Sequence, residues 1–180
     1  MIGVTRWAWP IAAAVAAGFI AVLAFHGERP EPGLERFTPA GLLADWPIEQ
    51  VIAVEVSAGA DRRSFHRGAD GGWHLSAGDA PLGSDLAERI ETGLKLLRNS
   101  APQRNFAAGE LEGRDLAEFG LDPPRLMVGI RGITGGAVTI QFGGANPLGL
   151  ARYTRIDGRP QIWLLPSFVA EAWERVAERR

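Results

Sequence analysis

The chain is predicted to be an α+β protein: one N-terminal transmembrane helix, then antiparallel sheet with covering helices. Three observations predict this. Residues Trp7 to Phe25 run without a charged side chain. As a helix rising about 1.5 Å per residue, that run reaches just under about 30 Å, the thickness of a bilayer's hydrocarbon core. After residue 47, short stretches alternate apolar and polar residues with period two, and turns rich in Gly, Asp and Pro separate them. That is the pattern of antiparallel strands. Two stretches, opening at Ser84 and Ser167, instead space their apolar residues as helices do.

Residues 1–26 read as a short tail and the anchor. Trp7 and Trp9 stand at its start, where a ring that is half apolar and half wet suits the membrane interface. Pro10 falls in the first turn, where a missing N–H costs little. Phe19 and Phe25 belong to the lipid-facing run, which is apolar all round rather than on one face. A cleaved secretory signal is the competing reading, with Arg6 as its basic end, but the apolar run exceeds the usual signal core. Arg6 precedes the run and Arg29 and Arg36 follow it, so charge alone does not orient it. A short tail leading straight into the span fits a signal-anchor in a bacterial cytoplasmic membrane, with the C-terminal domain periplasmic or otherwise extracytoplasmic.

Residues 27–47, with prolines at 30, 32 and 39, read as a stalk, ending in a short turn or docking segment that holds Leu42, Leu43 and Trp46. The α+β domain is expected over 48–180. Its first strand spans Val51 to Val56, with Ile52, Val54 and Val56 on the buried face. Asp70-Gly71-Gly72 marks a hairpin turn before a strand bearing Trp73. The helix from Ser84 to Arg98 has Ser84 placed to cap it, acids early, bases late, and a stripe of Leu86, Ile90, Leu94 and Leu97. A polar crossing follows to Gly109. Glu110 to Phe119 reads as a short helix that Gly120 ends in the left-handed conformation. Leu126, Val128 and Ile130 alternate as one strand, and Val138, Ile140 and Phe142 as the next. Gly143 to Gly149 reads as a turn-rich loop. A second Asp-Gly turn at 157–158 joins two more strands, and Ser167 is placed to cap a final helix with a stripe of Phe168 or Val169, Trp173, Val176 and Ala177. Asp-Gly, a Trp-bearing strand and a Ser-initiated helix thus occur twice. This suggests two similar β-β-β-α halves, 48–100 and 120–180.

The residues point to no catalysis. There is no cysteine, which excludes disulfides, thiolate nucleophiles and cysteine metal sites. The formal charge of −2, with signs mixed along the chain, argues against a nucleic-acid surface. Lys95 is the only lysine. His66 and His74 flank the first hairpin turn. A two-residue turn sends them to opposite faces, and a three- or five-residue loop sets them opposite one another; two histidines alone fall short of a metal site. Glu110, Glu112, Asp115 and Glu118 read as helix-start and solvated carboxylates rather than an acid–base pair. Gly143-Gly144 lacks the lysine and the following helix of a phosphate loop. No metal or cofactor is expected.

Phe119-Gly120-Leu121-Asp122-Pro123-Pro124, an alternating strand, Phe142-Gly143-Gly144, Asn146-Pro147-Leu148-Gly149, Arg152-Tyr153 and Asp157-Gly158 before Ile162-Trp163-Leu164 together resemble the bacterial family called domain of unknown function 4340. The resemblance covers most of 48–170, and Phe-Gly-Leu-x-x-Pro is its most specific step. It implies an exported domain on one N-terminal helix, often alongside auxiliary components of gliding-motility-type ABC transporters. It supplies no catalytic residues. Within it, Phe119, Gly120, Leu121, Pro123, Gly143, Gly144, Asn146, Pro147, Gly149 and Tyr153 are expected to be structural. Asn146, Arg152, Tyr153 and Arg155 form the candidate partner or ligand surface. The expected function is a non-enzymatic accessory or scaffolding subunit of an envelope complex that binds a membrane protein such as an ABC transporter subunit. A periplasmic ligand-binding or glycan-processing domain is the alternative.

Overall fold

A computed structural model describes residues 13–22 and 40–178. The chain divides into two compact units, Met1–Phe37 and Thr38–Arg180. In the first, residues 13–22 are helical and every one of them, Phe19 included, is exposed. Among the described residues no helix is long and apolar enough to cross a membrane. Trp7, Trp9, Pro10 and Phe25 of the expected anchor, and the expected stalk as far as residue 39, lie outside the described residues.

The second unit is built on one antiparallel sheet. Its strands are β1 (Val51–Ala58), β2 (Asp61–Arg67), β3 (Trp73–Leu75), β4 (Ala80–Pro81), β5 (Arg104–Phe106), β6 (Leu126–Gly132), β7 (Ala137–Ala145), β8 (Ala151–Ile156) and β9 (Ile162–Pro166). Two helices accompany them, α1 (Ser84–Asn99) and α2 (Ser167–Ala177). The spatial order is β4-β3-β2-β1-β6-β7-β8-β9-β5. Two meanders therefore run outward from the central β1–β6 pair, and each ends in a helix. After α1 the chain crosses the sheet, and β5 closes the far edge beside β9.

Side-chain alternation sets the layers. Val54 and Val56 on β1, Phe65 on β2, Val128 and Ile130 on β6, and Ile140 and Phe142 on β7 lie on one face at matched register. All are nearly fully buried in the main core, together with Ile90, Leu94 and Leu97 of α1 and Val169, Trp173 and Val176 of α2. The α1 stripe is the expected one. In α2 Val169 takes the core position, and Phe168 is left 48% exposed. A register shift between Val51 and Ala53 buries Val51 instead of Ile52 at the start of β1. Trp173 is wholly buried and its indole N–H has no partner. Gly93 makes room for it: a Cβ there would sit 2.7 Å from Trp173 Cε2.

Neither serine caps its helix. Gly83 is the N-cap of α1 and Pro166 that of α2, both without a side-chain bond. The Ser167 hydroxyl is already committed, donating to the Gly149 carbonyl at 2.9 Å. The packed unit also opens earlier than residue 48. Gly41 and Leu43 donate backbone hydrogen bonds to Arg98 and Leu97 at the end of α1, Leu43 is buried, and the Trp46 ring lies over Gly132 and Gly136. The last part of the expected stalk is thus domain.

Candidate functional site

The Phe-Gly-Leu and Gly-Gly motifs meet in space. Leu116–Phe119 is a 3-10 turn, initiated by Asp115 accepting from Ala117 N at 3.1 Å and ended by Gly120 at φ 65°. This replaces the expected short helix over 110–119, which is broken into that turn and another at Ala108–Leu111. Gly143 and Gly144 are not loop residues. They lie inside β7, where the pairing with β8 shifts register between Phe142 and Ala145. The bulge presses against the 119–121 backbone. A Cβ on Gly120 would lie 2.7 Å from Gly144 N, and one on Gly143 would overlap Phe119 O and lie 2.9 Å from Leu121 Cγ. Only glycine allows two backbones this close.

Phe119, Leu121 and Ile162 form a second, smaller core on the sheet face away from the helices, flanked by Phe106, Leu111, Leu116 and Tyr153. The Tyr153 ring meets Phe119 edge-on at 5.1 Å. The Asp122–Pro123 peptide is cis. The acids nearby are structural: Glu110 pairs with Arg104 at 2.9 Å and Glu118 with Arg114 at 2.7 Å. Bonds from the Ala107 N–H to Glu110 and from Arg114 to Glu118 are the leading reasons that both carboxyls sit below their ordinary range.

The residues expected to share one surface are not gathered. Asn146 accepts from Leu150 N and Ala151 N at 3.0 and 3.1 Å and so organises its own turn. Arg152 shares a sheet face with buried Thr154 and pairs with Glu174 of α2 at 3.0 Å. Tyr153 points to the opposite face into the smaller core, and Arg155 donates to Arg159 O across its hairpin. Adjacent strand residues face opposite ways, so Arg152 and Tyr153 cannot line one pocket.

What the loop does present is apolar. Four large apolar side chains are exposed among the described residues of the domain: Ile133, Leu148, Leu150 and Phe168. Three of them stand on two segments that are bonded together at one corner. Ser167 N donates to Leu150 O at 3.0 Å and Ser167 Oγ to Gly149 O, tying the β7–β8 loop to the start of α2. Leu148 is 77% and Leu150 66% exposed. The sequence signal was present but divided. Leu148 and Leu150 stand in a turn, and Phe168 competed with Val169 for a core position.

On the sheet face away from the helices, a concavity of about 380 Å³ lies over β1, β2, β6 and β7. Glu55, Ser64, Gly129 and Thr139 form a row across it at matched register. It is open and mostly polar, whereas small-molecule sites are mostly apolar and enclose their ligand. At the sheet edge the β2–β3 loop holds five residues, Gly68 to Gly72, and therefore sets His66 opposite His74. Among the described residues no three His, Asp or Glu are placed to hold a metal ion. Comparison with family models, curated proteins and solved structures found no match to the chain.

Proposed function

We propose that this protein is a single-pass, membrane-anchored, non-enzymatic accessory or scaffolding subunit of a bacterial envelope complex, associated with an ABC-type transporter. The observation that carries this reading is the corner of Leu148, Leu150 and Phe168, three of the four large apolar side chains exposed among the described residues of the domain. A cluster of exposed apolar side chains costs solubility and is retained where something covers it. The uncharged run Trp7 to Phe25 supports the membrane part, because tethering raises the effective concentration near a membrane partner. The resemblance to domain of unknown function 4340 supports the transporter part. The two meander-plus-helix halves are read as repeats of one unit. The Asp-Gly turns are not equivalent within them: one joins the second and third strands of its meander, the other the third and fourth.

Docking through the sheet edges is less favoured. β4 has two residues, one of them proline, and β5 has three, which blunts both edges against strand addition. The concavity over Glu55 is the feature that would serve the alternative, a ligand-binding or glycan-processing domain. Glu55 is the one carboxylate lining it, so it holds no facing acid pair for hydrolysis.

The test is a mild-detergent pull-down of the full-length chain from native membranes, with mass spectrometry of what co-purifies. ABC permease or ATPase subunits should be recovered in stoichiometric amount. They should be lost from a Leu148→Ser, Leu150→Ser, Phe168→Ser variant, and also when the N-terminal run is replaced. A monomer without a stoichiometric partner sinks the proposal.

A further inference from the structure

His74 stands at the centre of a polar cluster on the sheet edge. Its Nε2 lies 3.1 and 3.3 Å from the two carboxylate oxygens of Asp70, in the β2–β3 loop. Its Nδ1 lies 3.2 Å from the Asp79 carbonyl and 3.5 Å from Asp79 Oδ1, in the turn between β3 and β4. Every one of these partners is an acceptor. A neutral imidazole has one N–H and can satisfy only one side, whereas the imidazolium satisfies both. From the paired position on β2, His66 Nε2 reaches Asp79 Oδ1 at 2.9 Å, and the two rings lie 5.7 Å apart.

The backbone is shaped around this contact. Asp79 has φ 54°, the one non-glycine residue with positive φ among those described. A Cβ on Gly68 would sit 2.5 Å from His74 Nε2 and 2.7 Å from Asp70 Oδ1, so the pair needs glycine there. The charged groups facing the cluster are Asp70 and Asp79. Beyond Ala53, on the same sheet face, follow Arg131 on β6 and, one pair along, Glu55 on β1. Pro81, opposite His74 on β4, brings no charge.

We propose that His74, with Asp70, Asp79 and His66, is a proton-operated clasp that ties the β2–β3 loop and the β4 edge strand to the sheet and releases them when the imidazolium deprotonates. The bond to the Asp79 carbonyl, the leading cause, and the pairing with Asp70 both hold the proton on His74 above the ordinary histidine range. The clasp is therefore closed below the ordinary histidine range and opens as pH rises through the raised His74 value. Opening frees the outer edge of β3, which β4 otherwise covers.

The experiment is NMR of the full-length chain in detergent micelles, following the histidine side-chain nitrogens and amide exchange, each corrected for its intrinsic rate. The edge amides are Gly72 N, bonded to Asp70 Oδ1, and Leu82 N, bonded to Trp73 O. Their protection should fall about threefold or more between about pH 6 and pH 8.5, with the midpoint at the His74 titration, while β6 and β7 amides stay constant. Asp70→Asn should move that midpoint to lower pH, and His74→Gln should abolish the pH dependence. Edge protection that is constant across this range, or a His74 that titrates at or below the ordinary histidine value, overturns the proposal. So does an unchanged midpoint in Asp70→Asn.

Discussion

Gly143 is where a single added carbon would do most harm. Its missing Cβ leaves space that the Phe119 carbonyl and the Leu121 side chain occupy. The first of these is backbone and cannot swing aside. Gly143→Ala should therefore destabilise the domain by about 1–3 kcal/mol or more, the range for overpacking. Gly144→Ala, whose nearest neighbour lies at 3.5 Å, should cost distinctly less; paired urea or guanidinium unfolding curves separate the two. At the same scale, the raised His74 fixes the sign of a pH effect. A histidine held protonated in the fold stabilises fully below its unfolded value, and that contribution fades as pH rises through the folded value. Asp70, lowered first by the Gly72 N–H and then by His74, works the other way. Its contribution is present above the ordinary carboxyl value and lost as pH falls through the folded one. Unfolding midpoints measured across pH should show the alkaline loss in the wild type and not in His74→Gln.

Between elements, a few polar contacts fix the helices to the sheet. Glu91 Oε1 on α1 accepts from Arg67 Nη2 at 2.6 Å and from Trp73 Nε1 at 2.8 Å, and the Arg67 guanidinium stacks over the Trp73 ring. Arg67 also donates to Val51 O, so one side chain links β2 to β1 and α1. The group is partly buried, and Glu91→Ala should cost about 1–2 kcal/mol, below the figure for a fully buried charged hydrogen bond. At the far end of the helix layer, Arg63 on β2 donates to Val176 O and Glu178 O, occupying carbonyls that the end of α2 leaves open. Arg63→Met should speed amide exchange in the last turn of α2 while sparing α1. The α1–α2 contact depends on Gly93. Gly93→Ala would gain helix propensity but drive a methyl into the Trp173 ring, and net destabilisation of about 1–3 kcal/mol is expected in thermal unfolding.

The whole domain is one sheet with two cores, and this shape decides which of its surfaces are covered. Helices cover one face, the 108–121 segment covers one end of the other, and short strands close both edges. The apolar corner at Leu148, Leu150 and Phe168 is left over. Replacing these three by serine should change stability by only about 0.5 kcal/mol per site, because the side chains are exposed, while partner recovery is lost. That separation of folding from binding distinguishes an interface from a structural patch.

Local chemistry was legible along the chain. Period-two alternation located the β6 and β7 faces, helical spacing located the α1 stripe, and Gly120 marked a left-handed stop, because each depends on neighbours within a few residues. β4 and β5 carried no such signal. They are two and three residues long and exist only because β3 and β9 offer partners. The Gly143-Gly144 pair reads as a turn in sequence and is a strand bulge in space, since the reason for glycine lies across the fold at Phe119. Five loop residues rather than two decided that His66 and His74 face each other. Arg152 is close in sequence to Tyr153 and Arg155 and separate from them in the fold, because strand alternation sends it to the opposite face, while Asn146 is taken up by its own turn. The sequence by itself determined the fold class, the main stripes and the uncharged N-terminal run. The tertiary structure decided the strand order, the second core and the apolar corner, which join residues that only packing between distant segments brings together, and the histidine clasp, which the length of one hairpin loop sets.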